Sequence, residues 1–464
     1  MAPSILRNIP SVNDLIESPP LKKLVERVSH NVVADGVRSF LDEMRQNVAQ
    51  AASEVKLPDV GELAERIAGR ILQGEQPSLR PVINATGILL HTGLGRAPLA
   101  DEAIEAMVTV AKDYASVELD LKSGQRSQRV AAVETVLKQI TGAEAVAVVN
   151  NNAGATMLTL AALARDKEVI CSRGELVEIG GSFRLPDVMA ISGATLREVG
   201  TTNKTHLRDY ASAIGEETAA VMQVHTSNYL VVGFTAAPSL ADLVQLGRKH
   251  DLPVIHDIGS GALIDFAQYG LTGEPLAAES VRTGADVVLF SGDKLMGGPQ
   301  CGIIIGRKKY VDAISRHPMM RALRVDKVTL AALAETLRLY RDPKMAEASV
   351  PLLQLLSTSI ENLKNRAERL APQMAAAEAV SEAAAVEEVA QVGGGSMPTQ
   401  EIPTWCIALA PSSGGVDGLA ASLRTGKQAV VGRIQQDRLL LDLRTVPPRQ
   451  DRLLVEAVEA VSIP

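Results

Sequence analysis

Seven short apolar runs alternate with longer segments of helical pattern between residues 143 and 305, and this alternation restricts the fold more than any other feature. Strands that alternate with helices pair in parallel, are covered on both faces, and read as runs of Val, Ile and Leu. Aromatic residues make up only 3% of the chain, which suits such an aliphatic core. We therefore predict a mainly parallel, doubly wound α/β sheet with strands at 143–149, 167–171, 194–199, 219–225, 253–257, 285–290 and 301–305.

The chain has 464 residues, which is too many for one ordinary domain. Residues 1–80 have apolar residues at helical spacing from Leu21 to Ala49 and from Pro58 to Gln73, so we predict a helical N-terminal domain with a linker. Residues 81–327 contain the seven predicted strands and form the large α/β domain.

Residues 328–464 are predicted to form a small α+β C-terminal domain. Its Ala- and Glu-rich segment 375–390 is typical of a solvated helix. The expected elements are helices at 328–341 and 352–388, a loop at 391–398, and strands near 402–409, 429–434 and 438–443.

Charge and cysteine usage exclude several classes of protein. The net charge of −7 gives no support for broad nonspecific nucleic-acid binding. Cys171, Cys301 and Cys406 are far apart and form no CxxC pair, so we expect no metal site, no disulfide framework and a reducing cytoplasm. We also expect neither a signal peptide nor a transmembrane helix, because no long apolar run is present.

The segment ADVVLFSGDKLMGGPQCGIIIG, residues 285–306, places Lys294 in a Gly-rich turn directly after a predicted strand. The carboxyl ends of strands in open α/β sheets carry ligand-handling residues, and small neighbours leave room for a flat ring. A partly desolvated lysine has the lowered pKa that imine formation and proton abstraction require. We interpret Lys294 as the residue that binds pyridoxal 5′-phosphate (PLP), although an ordinary loop lysine also fits this segment taken alone.

Two other segments strengthen this interpretation. Asp257 ends the predicted strand PVIHD. A buried aspartate that lies against the ring nitrogen of PLP keeps this nitrogen protonated, as its role as an electron sink requires. The sequence NNNAGAT follows another strand and begins a helix, where free N–H groups bind phosphate. The predicted phosphate turn consists of Asn151, Asn152, Ala153, Gly154 and Ala155.

Basic residues near these segments suggest an oxyanion substrate. Arg96 lies in the Gly-rich turn of ATGILLHTGLGRAPL, and SRHPMMRALRVDK contains Arg321 and Arg324. Residues three apart share a face if the segment is helical, and guanidinium groups bind phosphate-like anions bidentately. Solvated surface arginines remain the alternative. Other polar residues that could line a pocket, bind substrate or bind a neighbouring subunit are Arg126, Glu178, Ser182, Arg184, Arg433 and Arg444. His225 and His256 flank the sheet edge, and either could be a satisfied core histidine.

Over essentially its whole length the chain resembles the bacterial selenocysteine synthase family, the L-seryl-tRNA(Sec) selenium transferases, which are fold-type I PLP-dependent enzymes. The resemblance is carried by RNIPSVNDLIES, NATGILLHTGLGRAPL, ELVEIGGSFRLPDVM, EVGTTNKTHLRDYASAI, VHTSNYLVVGF, SGDKLMGGPQCGIIIG and VVGRI with LLLDLRTV.

The resemblance implies conversion of L-seryl-tRNA(Sec) to L-selenocysteyl-tRNA(Sec) with selenophosphate and PLP, by β-elimination to a bound aminoacrylate and then selenium addition. It implies an N-terminal domain that recognises the tRNA, and a homo-oligomer, typically a decamer. It makes Lys294 the PLP lysine and Asp293 a catalytic acidic residue, and assigns selenophosphate to Arg96, Arg321 and Arg324. Ser227 and Asn228 fall where related enzymes contact the cofactor's 3′-oxygen.

Two alternatives remain open at this point. A PLP-dependent ammonia-lyase acting on a small amino sugar or amino acid would share the fold, but the first 80 residues favour the tRNA substrate. A non-catalytic tRNA chaperone that kept the fold is the other, and the intact Lys294, Asp257 and phosphate turn argue against it.

Overall fold

The computed structural model describes residues 9–50, 58–75, 79–181 and 183–461. The chain divides into two compact units, Met1–Pro81 and Val82–Pro464. Residues 51–57 of the expected linker and Ser182 lie outside the described residues. Within the described ranges no helix is long and apolar enough to cross a membrane.

The described part of the N-terminal unit is helical and has its own apolar core. Its helices are α1 (Val12–Ile16), α2 (Pro19–Val25), α3 (His30–Gln50) and α4 (Val60–Gly74). The helical pattern from Leu21 to Ala49 is divided between α2 and α3, because Ser29, with φ at 136°, interrupts the helical backbone. A Cβ on Gly36 would lie 2.5 Å from Cγ1 of Ile71, so α3 and α4 approach closely only because residue 36 has no side chain.

The seven predicted strands form one sheet in the second unit, which confirms the α/β fold class. The strands are β2 (Ala145–Val149), β3 (Glu168–Ser172), β6 (Thr195–Val199), β7 (Thr218–Val224), β8 (Val254–Gly259), β9 (Val287–Ser291) and β10 (Gly302–Gly306). The sheet order is β2-β10-β9-β8-β7-β3-β6. Strand β10 is antiparallel to both neighbours, and all other pairs are parallel.

Both faces of this sheet are buried under helices. Ile303 and Ile305 belong to one apolar core and Ile304 to another, because successive side chains of a strand point to opposite faces. The covering and connecting helices are α5 (Asp101–Lys112), α6 (Ala131–Thr141), α7 (Asn152–Leu163), α8 (Leu185–Ser192), α9 (Leu207–Ala213), α10 (Leu240–Lys249), α11 (Ala277–Thr283), α12 (Lys308–Arg316), α13 (Met319–Ala322), α14 (Lys327–Leu339), α15 (Pro343–Ser349) and α16 (Pro351–Ser357).

Helices α14 to α16 follow the boundary expected at residue 327, yet their apolar side chains belong to the core of the seven-stranded sheet. The second core begins with α17 (Ile360–Ala375) and includes α18 (Gly415–Thr425) and α19 (Asp451–Glu459). These helices pack on a five-stranded sheet of order β1-β13-β14-β12-β11. Its strands are β1 (Val82–Ala85), β11 (Val380–Gly393), β12 (Ser396–Pro411), β13 (Ala429–Gln435) and β14 (Arg438–Asp442), and a two-stranded ribbon elsewhere contains β4 (Glu178–Ile179) and β5 (Phe183–Arg184).

The expected helix at 352–388 is wrong in its second half. Helix α17 ends at Ala375, and most of the Ala- and Glu-rich segment 375–390 forms the edge strand β11. Long antiparallel pairing with β12 outweighs the helix propensity of Ala and Glu, which is a weak preference of tenths of a kcal/mol per residue.

The turn of the β11–β12 hairpin reaches the segment that precedes Arg96. The N–H groups of Leu89 and Leu90 donate to the carbonyls of Gln391 (3.0 Å) and Val392 (2.7 Å). A Cβ on Gly394, whose φ is +64°, would lie 2.8 Å from Cβ of Leu90. Glycine in this turn therefore permits the close approach.

A buried ion pair ties α17 to α19. Arg366 and Asp451 are each 7% exposed, and the guanidinium donates to the carboxylate at 2.6 Å. Arg366 also donates to the carbonyl of Val446 at 2.8 Å, and Arg369 donates to the second carboxylate oxygen at 2.6 Å. Removing one member of a buried pair leaves an uncompensated charge in the core.

We expect Asp451→Ala to lower the free energy of unfolding by about 3 kcal/mol or more, because Arg366 loses its carboxylate partner. Urea denaturation followed by circular dichroism measures this change. The matched control is Glu456→Ala, which breaks the exposed Arg452–Glu456 pair of the same helix and should cost less than about 1 kcal/mol. Equal losses in the two variants would contradict the prediction.

Candidate active site

A cavity of about 410 Å³ lies at the carboxyl ends of β2, β7, β8 and β9. Each of these strands or the turn after it contributes polar lining residues: Asn151, Asn152, His225, Ser227, Asp257, Asp293 and Lys294. Parallel strands bring their carboxyl ends to one edge of the sheet, so residues distant in sequence meet here.

Lys294 is only 4% exposed. Burial, and then the positive charge of Arg96, lower the pKa of the Lys294 amine. The negative charges of Asp257, Asp293 and Glu274 act in the opposite direction. The net shift favours the neutral amine, which is the form that attacks a carbonyl or accepts a proton.

Asp257 is buried and held by three donors. Its carboxylate accepts hydrogen bonds from Asn152 Nδ2 (2.8 Å), Thr156 Oγ1 (2.9 Å) and the N–H of Gly259 (3.1 Å). Burial nevertheless raises the pKa of Asp257, against these hydrogen bonds and the charge of Lys294. A cationic N–H group in the cavity would offset the effect of burial and keep the carboxylate ionised.

The predicted phosphate turn is the start of helix α7, but its N–H groups are not equally free. The side chain of Asn151 caps the helix by accepting from the N–H of Gly154 at 2.8 Å, and the N–H of Ala155 donates to the carbonyl of Asn151. Gly154 and Ala155 are buried and do not line the cavity. Asn152 and Ala153 line it and have the first two N–H groups of the helix, which the helix itself does not use.

Arg96 pairs with Asp293 beside Lys294. Its Nη1 lies 2.7 Å from Oδ2 of Asp293, and Asp293 is 7% exposed. Arg96 has a φ of +63°, a left-handed conformation that costs a non-glycine residue roughly 1 kcal/mol or more. Its N–H donates to the carbonyl of His91, which closes the turn in this conformation.

Ser227 and Asn228 each contain a buried oxygen without a partner within the described residues. Ser227 is 1% exposed, lines the cavity, and its Oγ makes no hydrogen bond. Asn228 donates through Nδ2 to the carbonyl of Glu178 at 2.7 Å and does not line the cavity, and its Oδ1 is unpaired. The apolar wall of the cavity consists of Val177, Ile179, Phe183, Leu185 and Val224.

Arg321 and Arg324 are not brought into this cavity. Both side chains are exposed and neither lines it. The condition for a shared helical face is not met, because α13 ends at Ala322, before Arg324 is reached. The backbone of Arg324 instead bridges Val149 at the end of β2, so the segment runs past the edge of the site.

Three of the other polar residues have structural partners. Arg433 donates to Asp442 at 2.7 Å, and Arg444 donates to the backbone carbonyls of Leu355 at 3.1 Å and Pro403 at 2.6 Å. His256 is 6% exposed and hydrogen-bonds Ser280, and burial lowers the pKa of His256 to about 3. His256 is therefore neutral near pH 7.

Two surface pairs also lie outside the cavity. Arg126 donates to Glu118 at 3.0 Å, and Arg184 lies 3.3 Å from Glu178. All four side chains are at least 31% exposed.

Sequence reasoning missed three buried polar side chains next to the cavity, namely those of Thr156, Glu175 and Glu274. Thr156 follows Asn152 by four residues in one helix, and this spacing could have placed both on the same face. Glu175 is 8% exposed and accepts a hydrogen bond from the N–H of Val224 at 2.9 Å. Burial raises the pKa of Glu175 to about 8, and no pattern in the sequence distinguishes it from a surface glutamate.

Two family models match the chain. Residues 82–447 match the model described as L-seryl-tRNA selenium transferase, and residues 6–45 match the model described as selenocysteine synthase N terminal.

Similar proteins agree with these matches. The L-seryl-tRNA(Sec) selenium transferase of Moorella thermoacetica is 47% identical over 461 residues, which cover 98% of this chain and 97% of the relative. That of Geobacter sulfurreducens is 48% identical over 445 residues, with 96% of both chains covered. The solved structure of a D-glucosaminate-6-phosphate ammonia-lyase has a TM-score of 0.56 at 21% identity and covers 87% of this chain and 98% of that one, which indicates a shared fold only.

Glu175 makes the stability of the protein depend on pH. Its folded pKa of about 8 lies above its ordinary value of 4.5, so the folded state retains a proton that the unfolded state loses. The contribution of Glu175 to the free energy of unfolding is therefore fully present below about pH 4.5. It is lost as pH rises toward 8, by at most about 1.4 kcal/mol per pH unit.

We expect Glu175→Gln, which keeps an acceptor for Val224, to remove this dependence. The variant should gain stability relative to the wild type between pH 5 and 8 in denaturation curves at each pH. Glu216→Gln, a change at an exposed position, serves as the control and should follow the wild type. A constant difference between Glu175→Gln and wild type would refute the prediction.

Proposed function

This chain belongs to the L-seryl-tRNA selenium transferase family, and we propose that it converts L-seryl-tRNA(Sec) to L-selenocysteyl-tRNA(Sec) with selenophosphate as the selenium donor. The observation that carries the proposal is the meeting of the Lys294 amine and the Asp257 carboxylate in one cavity of an α/β sheet. The fold is that of the fold-type I PLP-dependent enzymes. The ammonia-lyase alternative has no comparable support, since its likeness is confined to the fold.

The residues present fit PLP. Lys294 offers a buried amine of lowered pKa to the aldehyde carbon, and Asp257 offers a carboxylate to the ring nitrogen. The N–H groups of Asn152 and Ala153 suit the phosphate, and the unpaired Ser227 oxygen suits a ring substituent. When bound, PLP supplies a sink for the electrons that remain once the seryl Cα loses its proton.

Lys294 is the base in this proposal. Its lowered pKa raises the fraction of neutral amine that can take the Cα proton and later return it. Asp257 stays oriented because Asn152, Thr156 and Gly259 donate to it from two different elements.

Arg96 and Asp293 line the cavity beside Lys294. Asp293 holds the Arg96 guanidinium beside Lys294, where it can bind a phosphate-like oxyanion such as selenophosphate. Arg321 and Arg324 would bind the same anion at the rim, since their exposed side chains have no protein partner among the described residues. Gly154, Ala155 and Asn228 would act behind the lining by shaping the helix start and the turn after β7.

The N-terminal unit would recognise the tRNA, and the enzyme would act in the cytoplasm as a homo-oligomer, a decamer by resemblance to the family. Support for the unit's role is the separate match of residues 6–45 to the N-terminal family model. Support for assembly is the exposure of large apolar side chains such as Val232 (83%) and Phe234 (87%). Cys171, Cys301 and Cys406 are free, which suits a reducing compartment.

Lys294→Ala should abolish the visible imine absorbance and lower selenocysteyl-tRNA(Sec) formation by about 10³-fold or more, because both the attachment point and the base are lost. Absorbance spectra and a selenium-transfer assay measure the two effects. Lys249→Ala, at an exposed position, should change neither. Retention of absorbance or product by Lys294→Ala would exclude this role.

Removing the N-terminal unit should separate tRNA binding from cofactor binding. A chain of residues 82–464 is expected to keep the imine absorbance and to lose at least about tenfold in affinity for tRNA(Sec) in a gel shift, since the compact unit that would contact the tRNA is gone. Bulk tRNA is the competitor control for the full chain. Equal binding of both RNAs, unaffected by the truncation, would count against the tRNA assignment.

A further inference from the structure

A second cavity of about 410 Å³ lies beside the first, and His225 is a wall residue of both. Glu274 lines only the second cavity. His225 follows β7 directly, and its N–H donates to the carbonyl of Asp257 at 2.9 Å. His225 therefore lines both the reaction cavity and the second cavity.

The Glu274 carboxylate lies beside the His225 imidazole. Nε2 of His225 lies 3.4 Å from Oε2 of Glu274, whose side chain is only 4% exposed. The other oxygen of Glu274 is buried and has no partner among the described residues. Among the described residues, the His225 imidazole is the basic group that lies within 4 Å of this carboxylate.

The other titratable groups near His225 do not take over this role. His256 is neutral, because burial and the nearby His225 lower the pKa of His256 to about 3. Glu175 retains its proton up to about pH 8 because it is buried. Lys294 and Asp257 are committed to the cofactor in the proposed function. His225 is thus the group in the first cavity that has both a buried carboxylate partner and access to a second chamber.

We propose that His225 is the acid that protonates the departing seryl hydroxyl, and that Glu274 is the positioning residue that stabilises its protonated form. This proposal rests on the proposed function, since it assigns a further residue to the same reaction. Hydroxide is a poor leaving group, and a positioned acid typically contributes a factor of about 10² to 10⁴ to such a step.

The step balances in protons and electrons. Lys294 takes the Cα proton, the electron pair of the Cα–H bond forms the double bond between Cα and Cβ, and the Cβ–Oγ bond breaks with its electron pair on Oγ. The proton on His225 moves to that oxygen, so water leaves. The neutral imidazole then regains a proton from water in the second cavity. When water later cleaves the phosphorus–selenium bond, one proton is released. This proton matches the one that His225 regained, so a full turnover takes up no net proton at His225.

A leaving group that needs no proton tests the proposal. His225→Asn holoenzyme is compared with wild type on seryl-tRNA(Sec) and on 3-chloroalanyl-tRNA(Sec), from which chloride departs unprotonated. We expect a loss of about 10²-fold or more on the seryl substrate and a change of only a few-fold on the chloro substrate. The imine absorbance should stay unchanged, which shows that the cofactor still binds.

Glu274→Gln tests the positioning role separately. It should give a smaller loss that is again confined to the seryl substrate, and the rate should decline with rising pH from a lower pH than in wild type, because the amide no longer stabilises the protonated ring. Glu274→Asp should restore part of the rate. His250→Asn, at an exposed helix end, is the matched histidine control and should behave as wild type on both substrates.

Equal losses on both substrates in His225→Asn would show a merely structural role and overturn the proposal, as would full activity on the seryl substrate. A wild-type enzyme that uses 3-chloroalanyl-tRNA(Sec) but not seryl-tRNA(Sec) would overturn the proposed function itself. Lys294→Ala, which should lose both reactions, distinguishes loss of the base from loss of the acid.

Discussion

The burial of an amine and a carboxylate at one edge of the seven-stranded sheet is the constraint on which the site depends. Removing either charge from water costs several kcal/mol unless other groups compensate. Three hydrogen-bond donors offset the cost of burying the Asp257 carboxylate, and the charges of three carboxylates offset the cost of burying the Lys294 amine. Burial and the charge of Arg96 lower the pKa of Lys294 by more than the carboxylates raise it. Lys294 is therefore more easily deprotonated than a surface lysine, and its chemistry requires this property.

The sheet topology places these groups without long connections. Asp257 lies in β8, Lys294 follows the neighbouring β9, and the antiparallel β10 returns between β9 and β2, after which α7 begins. This return is possible because residue 302 is glycine: a Cβ there would lie 2.2 Å from the carbonyl oxygen of Asn151. The helix start and the lysine turn are thereby held on opposite sides of a single strand.

The sequence was sufficient to predict the large sheet, because strands buried on both faces appear as continuous runs of apolar residues. The sequence also predicted that Lys294, Asp257 and Asn152 lie at one site, because polar residues directly after apolar runs mark the ends of strands. All three line the same cavity. It failed for 375–390, where pairing with a distant strand decides the conformation. It failed for Glu175 and Glu274 because burial of a single carboxylate depends on what other segments cover it. The spacing of Arg321 and Arg324 suggested a shared helical face, but a four-residue helix ends between the two residues.

The β11–β12 hairpin has a consequence for the order in which the protein is made. Its turn binds Leu89 and Leu90, just before the Arg96 turn, although about 300 residues separate the two segments in the chain. Contacts of such long range form late, after their loop-closure entropy has been met. During synthesis the seven-stranded sheet can therefore assemble first, while the support of the Arg96 turn waits until residue 392 has left the ribosome. A nascent chain would thus hold the parts of its lysine pocket before it completes the turn expected to bind the anion.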